Sequence, residues 1–144
     1  MTKLFKWMLA VGLVAGPLAA ADLEVGFMDE AWNGMKVPEG QQCQKFGGHG
    51  RSPELRVSNI PEVADLLVIE FSDRTYTPMD QGGHGKIGFG IEAGAGSVDI
   101  PSVDGHTVDL PAGFLVVSEH KAPSWDKAGA YLPPCSGGQG NEDY

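Results

Sequence analysis

The chain has 144 residues, and its 19 acidic side chains outnumber 10 basic ones for a formal charge of −9. An excess of that sign repels nucleic acid and anionic membrane surfaces at long range, so DNA and RNA binding are set aside. The length suits one domain rather than two, and 21 glycines and 10 prolines cut it into short segments.

The first 21 residues read as a secretory signal. Lys3 and Lys6 form a basic start, Trp7 to Val14 an apolar stretch, and Gly16-Pro17 a break before Ala19-Ala20-Ala21. The apolar run is shorter than the roughly 20 residues a transmembrane helix requires. Cleavage before Asp22 would leave one domain over residues 22–144, with 8 basic and 19 acidic residues and a charge of −11. The expected location is the periplasm or outside the cell, with no membrane anchor after cleavage. In an oxidising compartment the even pair Cys43 and Cys135 favours a disulfide; two separate buried thiols are the alternative.

Strands are expected over Leu23 to Met28, Leu55 to Ser58, Ala64 to Phe71, Ile87 to Ile91, Ser97 to Ile100, Thr107 to Leu110 and Gly113 to Ser118. Ile87, Phe89 and Ile91 alternate with Lys86, Gly88 and Gly90, the pattern of a half-buried strand. Leu66 to Ile69 is apolar on both faces, which predicts a central strand. Pro61 to Ala64 is compatible with one helical turn, and Ala122 to Ala130 reads as loop. No stretch of ten residues carries a clean 3.6-residue apolar period. The fold class is therefore all-β, an antiparallel β-sandwich with little helix.

Asp73 lies where the Leu66–Phe71 run ends, and His84 lies in the Gly82-Gly83-His84-Gly85 loop before the next strand. If those strands are neighbours, both side chains meet at one end of the molecule. A carboxylate beside an imidazole fixes its tautomer and raises its pKa, so the ring donates to a ligand oxygen. Glycines around it would let a ligand approach backbone N–H groups. The bland alternative is a loop histidine and a strand-end aspartate that never meet.

The order Ser52-Pro53, the Leu66–Asp73 strand, the Gly-Gly-His-Gly loop and Tyr131-Leu132-Pro133-Pro134-Cys135-Ser136-Gly137-Gly138 resembles the phosphatidylethanolamine-binding protein family, also called Raf kinase inhibitor-like proteins. The likeness runs from about Val37 to Tyr144. Asp73 matches the first aspartate of the family's Asp-Pro-Asp-Ala-Pro run, and His84 the histidine of its Gly-x-His-Trp run. Pro133, Pro134 and Gly137 match the Pro-Pro-x-Gly loop, and Tyr144 the tyrosine of His-Arg-Tyr. Cys43 resembles a cysteine that often precedes Ser-Pro in bacterial members. Gly85 stands where tryptophan is usual, Glu142 where a second pocket histidine is usual, and the second aspartate of the first run is missing. The resemblance implies a β-sandwich that binds a small polar or phospholipid-like ligand without catalysis or cofactor, through Asp73, His84, Pro133, Pro134 and Tyr144. Loss of one histidine opens the ligand class to neutral, zwitterionic or cationic groups. His49, in the loop before Ser52, is a candidate replacement, and Arg51, Arg74 and Lys86 are candidate sources of positive charge.

A rival reading is a protein-interaction or inhibitory module with a vestigial pocket, since an unpaired sheet edge invites a partner strand. A metal-dependent enzyme is the third. His49, His84, His106 and His120 show no His-x-x-x-His spacing, and neither Cys-x-x-Cys nor Gly-x-Ser-x-Gly occurs. The expectation is therefore no metal and no enzyme. His106 and His120 read as structural or exposed, Trp32 as a core or rim aromatic, and Tyr131 as a possible pocket wall.

Overall fold

A computed structural model describes residues 22–122, 124 and 126–135; the predicted signal, Trp125, Gly137, Glu142 and Tyr144 lie outside the described residues. Six strands occur: β1 (Glu24–Phe27), β2 (Leu55–Ser58), β3 (Leu66–Glu70), β4 (Lys86–Gly90), β5 (Ser97–Ile100) and β6 (Phe114–Ser118), with 3₁₀ turns at Gln44–Phe46 and Thr77–Met79. They form two antiparallel three-stranded sheets, ordered β1-β2-β5 and β3-β4-β6. The fold is all-β, as the alternation of short apolar runs and Gly/Pro breaks predicts.

The register explains the core. Val25, Val57 and Val98 stand opposite one another in the first sheet, as do Phe27, Leu55 and Ile100, so each trio shares one face. Leu55, Val57 and Ile100 from that sheet meet Leu67 of β3 in a single buried cluster, with Ile69, Phe89 and Phe114 packed against it. Each such aliphatic side chain, once buried, contributes about 1.5–3 kcal/mol. No β1 residue joins this cluster, so β1 overhangs the edge of the shared core.

Two strand expectations are corrected. The Leu66–Ile69 run is an edge strand, and β4 is the centre of its sheet. Its second apolar face arises because β4 carries glycine there: a Cβ on Gly88 would press on Leu115 Cγ at 2.9 Å and Leu66 Cδ1 at 3.2 Å. Leu66 and Leu115 thus lean over a bare backbone from both sides, and edge strand β3 needs apolar residues on both faces. Thr107 to Leu110 forms no strand. Thr107 accepts the Ala130 N–H at its carbonyl and the Asp109 N–H at its hydroxyl, which folds the segment into a turn. Pro61 to Ala64 closes a single turn through Ala64 N–H to Pro61 O, without helix.

Cys43 and Cys135 are joined, with Cα atoms 5.2 Å apart and a separation of 92 positions in the chain. Around the bridge, Met79, Ala122 and Leu132 form a second buried cluster. The bridge ties the Gln41–Gly50 loop to the strandless segment Tyr131–Cys135, whose backbone also accepts the Cys43 N–H at Pro134 O.

Candidate functional site

The β3–β4 hairpin end is where the sequence places its chemistry. Phe71 N–H donates to Gly85 O and His84 N–H donates to Phe71 O, carrying the ladder beyond the strands and bringing the Asp73 and His84 positions to the same end. Both side chains are 4% exposed. Asp73 acts within its own loop: Oδ1 accepts the N–H groups of Thr75 and Tyr76 and the Thr75 hydroxyl, at 2.8–3.0 Å. This is an Asx turn, the ordinary work of an aspartate at a strand exit. Its charge still reaches His84 and favours the protonated ring.

His84 departs from the expected protonation. Burial pushes its pKa below the ordinary histidine value and outweighs the Leu132 carbonyl and the Asp73 charge; nearby His120 adds to the lowering. Nδ1 lies 2.9 Å from Leu132 O, and a carbonyl only accepts, so Nδ1 carries the proton. In the neutral ring Nε2 then has the acceptor role. The ring is paired with the segment that also sends Leu132 N–H to His84 O at 2.8 Å. A raised pKa and a donating ring, the sequence expectation, are therefore replaced by a lowered one.

Because the folded-state pKa lies below the unfolded value, the unfolded chain binds the extra proton in the window between them. Stability from the buried neutral ring is complete above about pH 6.5 and is lost as pH falls from there through the folded-state pKa. The slope from one proton is at most about 1.4 kcal/mol per pH unit. Urea melts of the wild type and His84→Gln between pH 7.5 and 5 should show the wild type losing stability over that interval and the variant a flatter profile. Parallel profiles would remove His84 as the titrating group.

The glycines of the loop are filled by the protein itself, not by open space for a ligand. A Cβ on Gly83 would fall on the Met79 backbone and one on Gly85 on the Ala130 carbonyl; Gly82 is covered by the Lys86 side chain. Gly82 and Gly85 also have φ of +75° and +110°, which other residues rarely adopt. Close packing is thus the reason for these glycines. At Gly85 no side chain fits.

A groove of about 1020 Å³ runs from this end between β1 and β3. Its apolar length is lined by Leu23, Val25 and Phe27 of β1 against Leu67 and Ile69 of β3, with Trp32 and Met35 at the rim. Trp32 stacks on Phe27 at 6.3 Å between ring centroids. The polar end is lined by Ser72, Arg74, Asp80, Gln81 and His84, with Tyr131 and Pro134 beside them. The Ser72 hydroxyl accepts the Gly82 N–H at 2.8 Å and donates to Glu70 at 3.2 Å. Arg51 pairs with Asp104, and Lys86 with Glu70 at 2.6 Å. Arg74 has no ion-pair partner among the described residues.

Of the predicted site residues, His84 and Pro134 line the groove at this end; Asp73 is buried beside it and does not line it. Pro133 does not line the groove: it is fully buried, wedged against Gly50 and Gly105, where added Cβ atoms would strike its ring. His49 is exposed and holds its loop through N–H to Gly40 O rather than reaching the groove. Tyr144 is outside the described residues. The overlooked residues are the β1 face and the pair Ser72 and Gln81; the alternation of Leu23, Val25 and Phe27 was the available signal.

The other histidines are built into the core, which corrects the exposed alternative. His106 Nε2 sits 3.2 Å from Asp126 Oδ2. His120 donates from Nε2 to Lys127 O and accepts the Ala122 N–H at Nδ1. Among the described residues, the group of potential metal ligands is Cys43, Asp126 and Cys135, and its two sulfurs are bonded to each other.

A scan against protein-family models and searches of curated proteins and of solved structures find no match. No helix among the described residues is long and apolar enough to cross a membrane.

Proposed function

We propose that this is an exported, non-catalytic binding protein of the phosphatidylethanolamine-binding type, which takes a small polar or phospholipid-like head group at the polar end of the groove. The observation that supports it is the convergence of His84, Pro134 and Arg74, a cation without an ion-pair partner among the described residues, on one end of the groove, with Asp73 buried behind them in its own turn. Arg74 offers a fork of donors to a phosphate or carboxylate oxygen. The apolar length behind them suits an attached chain. Secretion rests on the residues 1–21 pattern, and the Cys43–Cys135 bridge supports an oxidising compartment.

Glycerophosphoethanolamine, the zwitterionic head group without chains, is the probe. Calorimetric titration should show saturable binding that weakens about tenfold or more in Arg74→Gln, since a hydrogen bond to a charged group is worth about 1.5–3 kcal/mol. Arg74 is exposed, so the variant keeps its fold. Absence of binding at millimolar concentrations, or equal affinity in the variant, would defeat this reading.

A further inference from the structure

The apolar length of the groove is bordered by backbone donors and acceptors that the head-group reading does not use. Ile91 N–H donates to Asp65 O, and Phe71 N–H donates to Gly85 O. In an antiparallel ladder successive residues direct their backbone groups to alternate edges. The odd-numbered residues of β3 therefore bond to β4, and the N–H and C=O groups of Leu66, Val68 and Glu70 point to the other edge. Among the described residues that edge has no strand beside it, because β3 ends its sheet. None of those three residues has another backbone bond among the described residues.

Directly across the groove, β1 presents the face it shares with the core, through Val25 and Phe27, which are 62% and 47% exposed. Leu55 and Val57 of β2 share the buried cluster with Leu67 of β3, whereas no β1 residue joins it, so the Val25 and Phe27 side chains are left uncovered. An unpaired backbone edge and an uncovered apolar face thus border the same groove. A helix or a lipid chain would cover the apolar face and leave the donors and acceptors of β3 without partners. An extended peptide satisfies both at once: its backbone continues the β3 ladder and every second side chain packs against Val25 and Phe27.

Charge narrows the sequence of such a segment. Lys36 and Arg74 line the groove without ion-pair partners among the described residues, whereas Glu70 is neutralised by Lys86. Asp80 is the remaining acidic lining residue, and the Lys121 ammonium donates to its backbone carbonyl. With Lys86 and Lys121 beside the two lining carboxylates, four cations stand against two anions here, in a chain of net charge −9.

We propose that the β3 edge and the overhanging face of β1 form a strand acceptor for an extended segment of a partner protein, with apolar residues at alternate positions and acidic residues at its flanks. A five-residue β3 extends about 17 Å, which sets the length of the paired segment. Arg74 borders both sites, but the β3 edge and the β1 face lie outside the polar end, so variants there separate the two readings.

The test uses a fluorescent peptide alternating valine and threonine between terminal aspartates, with a proline-interrupted version as control. The alternating peptide should bind and the control should not. Val68→Pro blocks the edge without removing a ladder bond, because the Val68 N–H points away from β4, and Val25→Glu places a charge on the facing wall. Each should weaken peptide binding at least tenfold while glycerophosphoethanolamine binding, where present, is unchanged. Hydrogen exchange should show the Leu66, Val68 and Glu70 amides exchanging freely in the isolated monomer and slowing at least tenfold with peptide. Equal binding of both peptides, or binding unaffected by both variants, overturns the proposal. So do amides already protected without peptide, since the edge would then be occupied by this chain itself or by a second copy.

Discussion

Removing the Cys43–Cys135 bridge is expected to lower stability by about 4–5 kcal/mol, the entropy of closing a loop of this length in the unfolded chain. That is a large share of the 5–15 kcal/mol that typically separates folded from unfolded domains. The native side of the balance points the same way. The bridge fastens Tyr131–Cys135, a segment with no strand, to a loop whose own contacts are turns. Cys43 is fully buried against Met79, Ala122 and Leu132, so Cys43→Ala/Cys135→Ala changes little polar surface. Guanidinium unfolding of the double variant, compared with the oxidised protein, should move the midpoint down by roughly 1–2 M, and the slope should rise as the unfolded chain expands. A shift corresponding to less than about 1 kcal/mol would mean that the bridge joins parts already held together by other contacts. The buried histidines supply the competing expectation, because His120 and His84 also tie this region together, through Lys127 O and Leu132 O.

How far the fold could be read from sequence depended on whether a signal was local. Six strands were legible because each is a short apolar run bounded by glycine, proline or a polar turn, and the Ile87–Ile91 alternation marked a strand, but not a half-buried one: its glycine face is covered by Leu66 and Leu115. Strand order was not legible. Leu66–Ile69 looks central by its apolarity, but the deciding residue is Gly88 on the neighbouring strand, which lets Leu66 and Leu115 cover one another. Thr107–Leu110 has strand-like residues, yet Thr107 spends its hydroxyl on the Asp109 amide. At the candidate site, the position of Asp73 and His84 followed from the hairpin, whereas their chemistry did not. The sign of the His84 shift depends on burial by the Tyr131–Pro134 segment, which lies 47 or more positions along the chain. The groove was hidden for the same reason: Leu23, Val25 and Phe27 look like an ordinary apolar face, and only the folded chain shows that none of them joins the buried cluster.

Gly85→Ala should be among the most damaging single substitutions in the protein, at about 3 kcal/mol or more. Two effects act together. A methyl group at this position would fall on the Ala130 carbonyl oxygen, with the carbonyl carbon at 2.9 Å and Tyr131 Cα at 3.3 Å. These are backbone atoms, which move only if the segment moves. That segment is held by Ala130 N–H to Thr107 O, His106 N–H to Tyr131 O and Leu132 N–H to His84 O, so relief of the clash breaks bonds that the buried His84 also depends on. Overpacking of this kind costs about 1–3 kcal/mol. The backbone adds a second penalty, because φ at Gly85 is +110°, a conformation that costs a residue with a Cβ on the order of 1–3 kcal/mol. Gly94→Ala separates the two effects: Gly94 has φ of +81° and nothing within 4 Å of an added Cβ, so it carries the backbone penalty alone, about 1–2 kcal/mol. Urea denaturation of both variants should place Gly85→Ala at least 1 kcal/mol below Gly94→Ala. Equal losses would show that the Ala130 carbonyl yields readily, and the close seating of Tyr131–Pro134 against the hairpin end, on which the neutral state of His84 rests, would lose its physical basis.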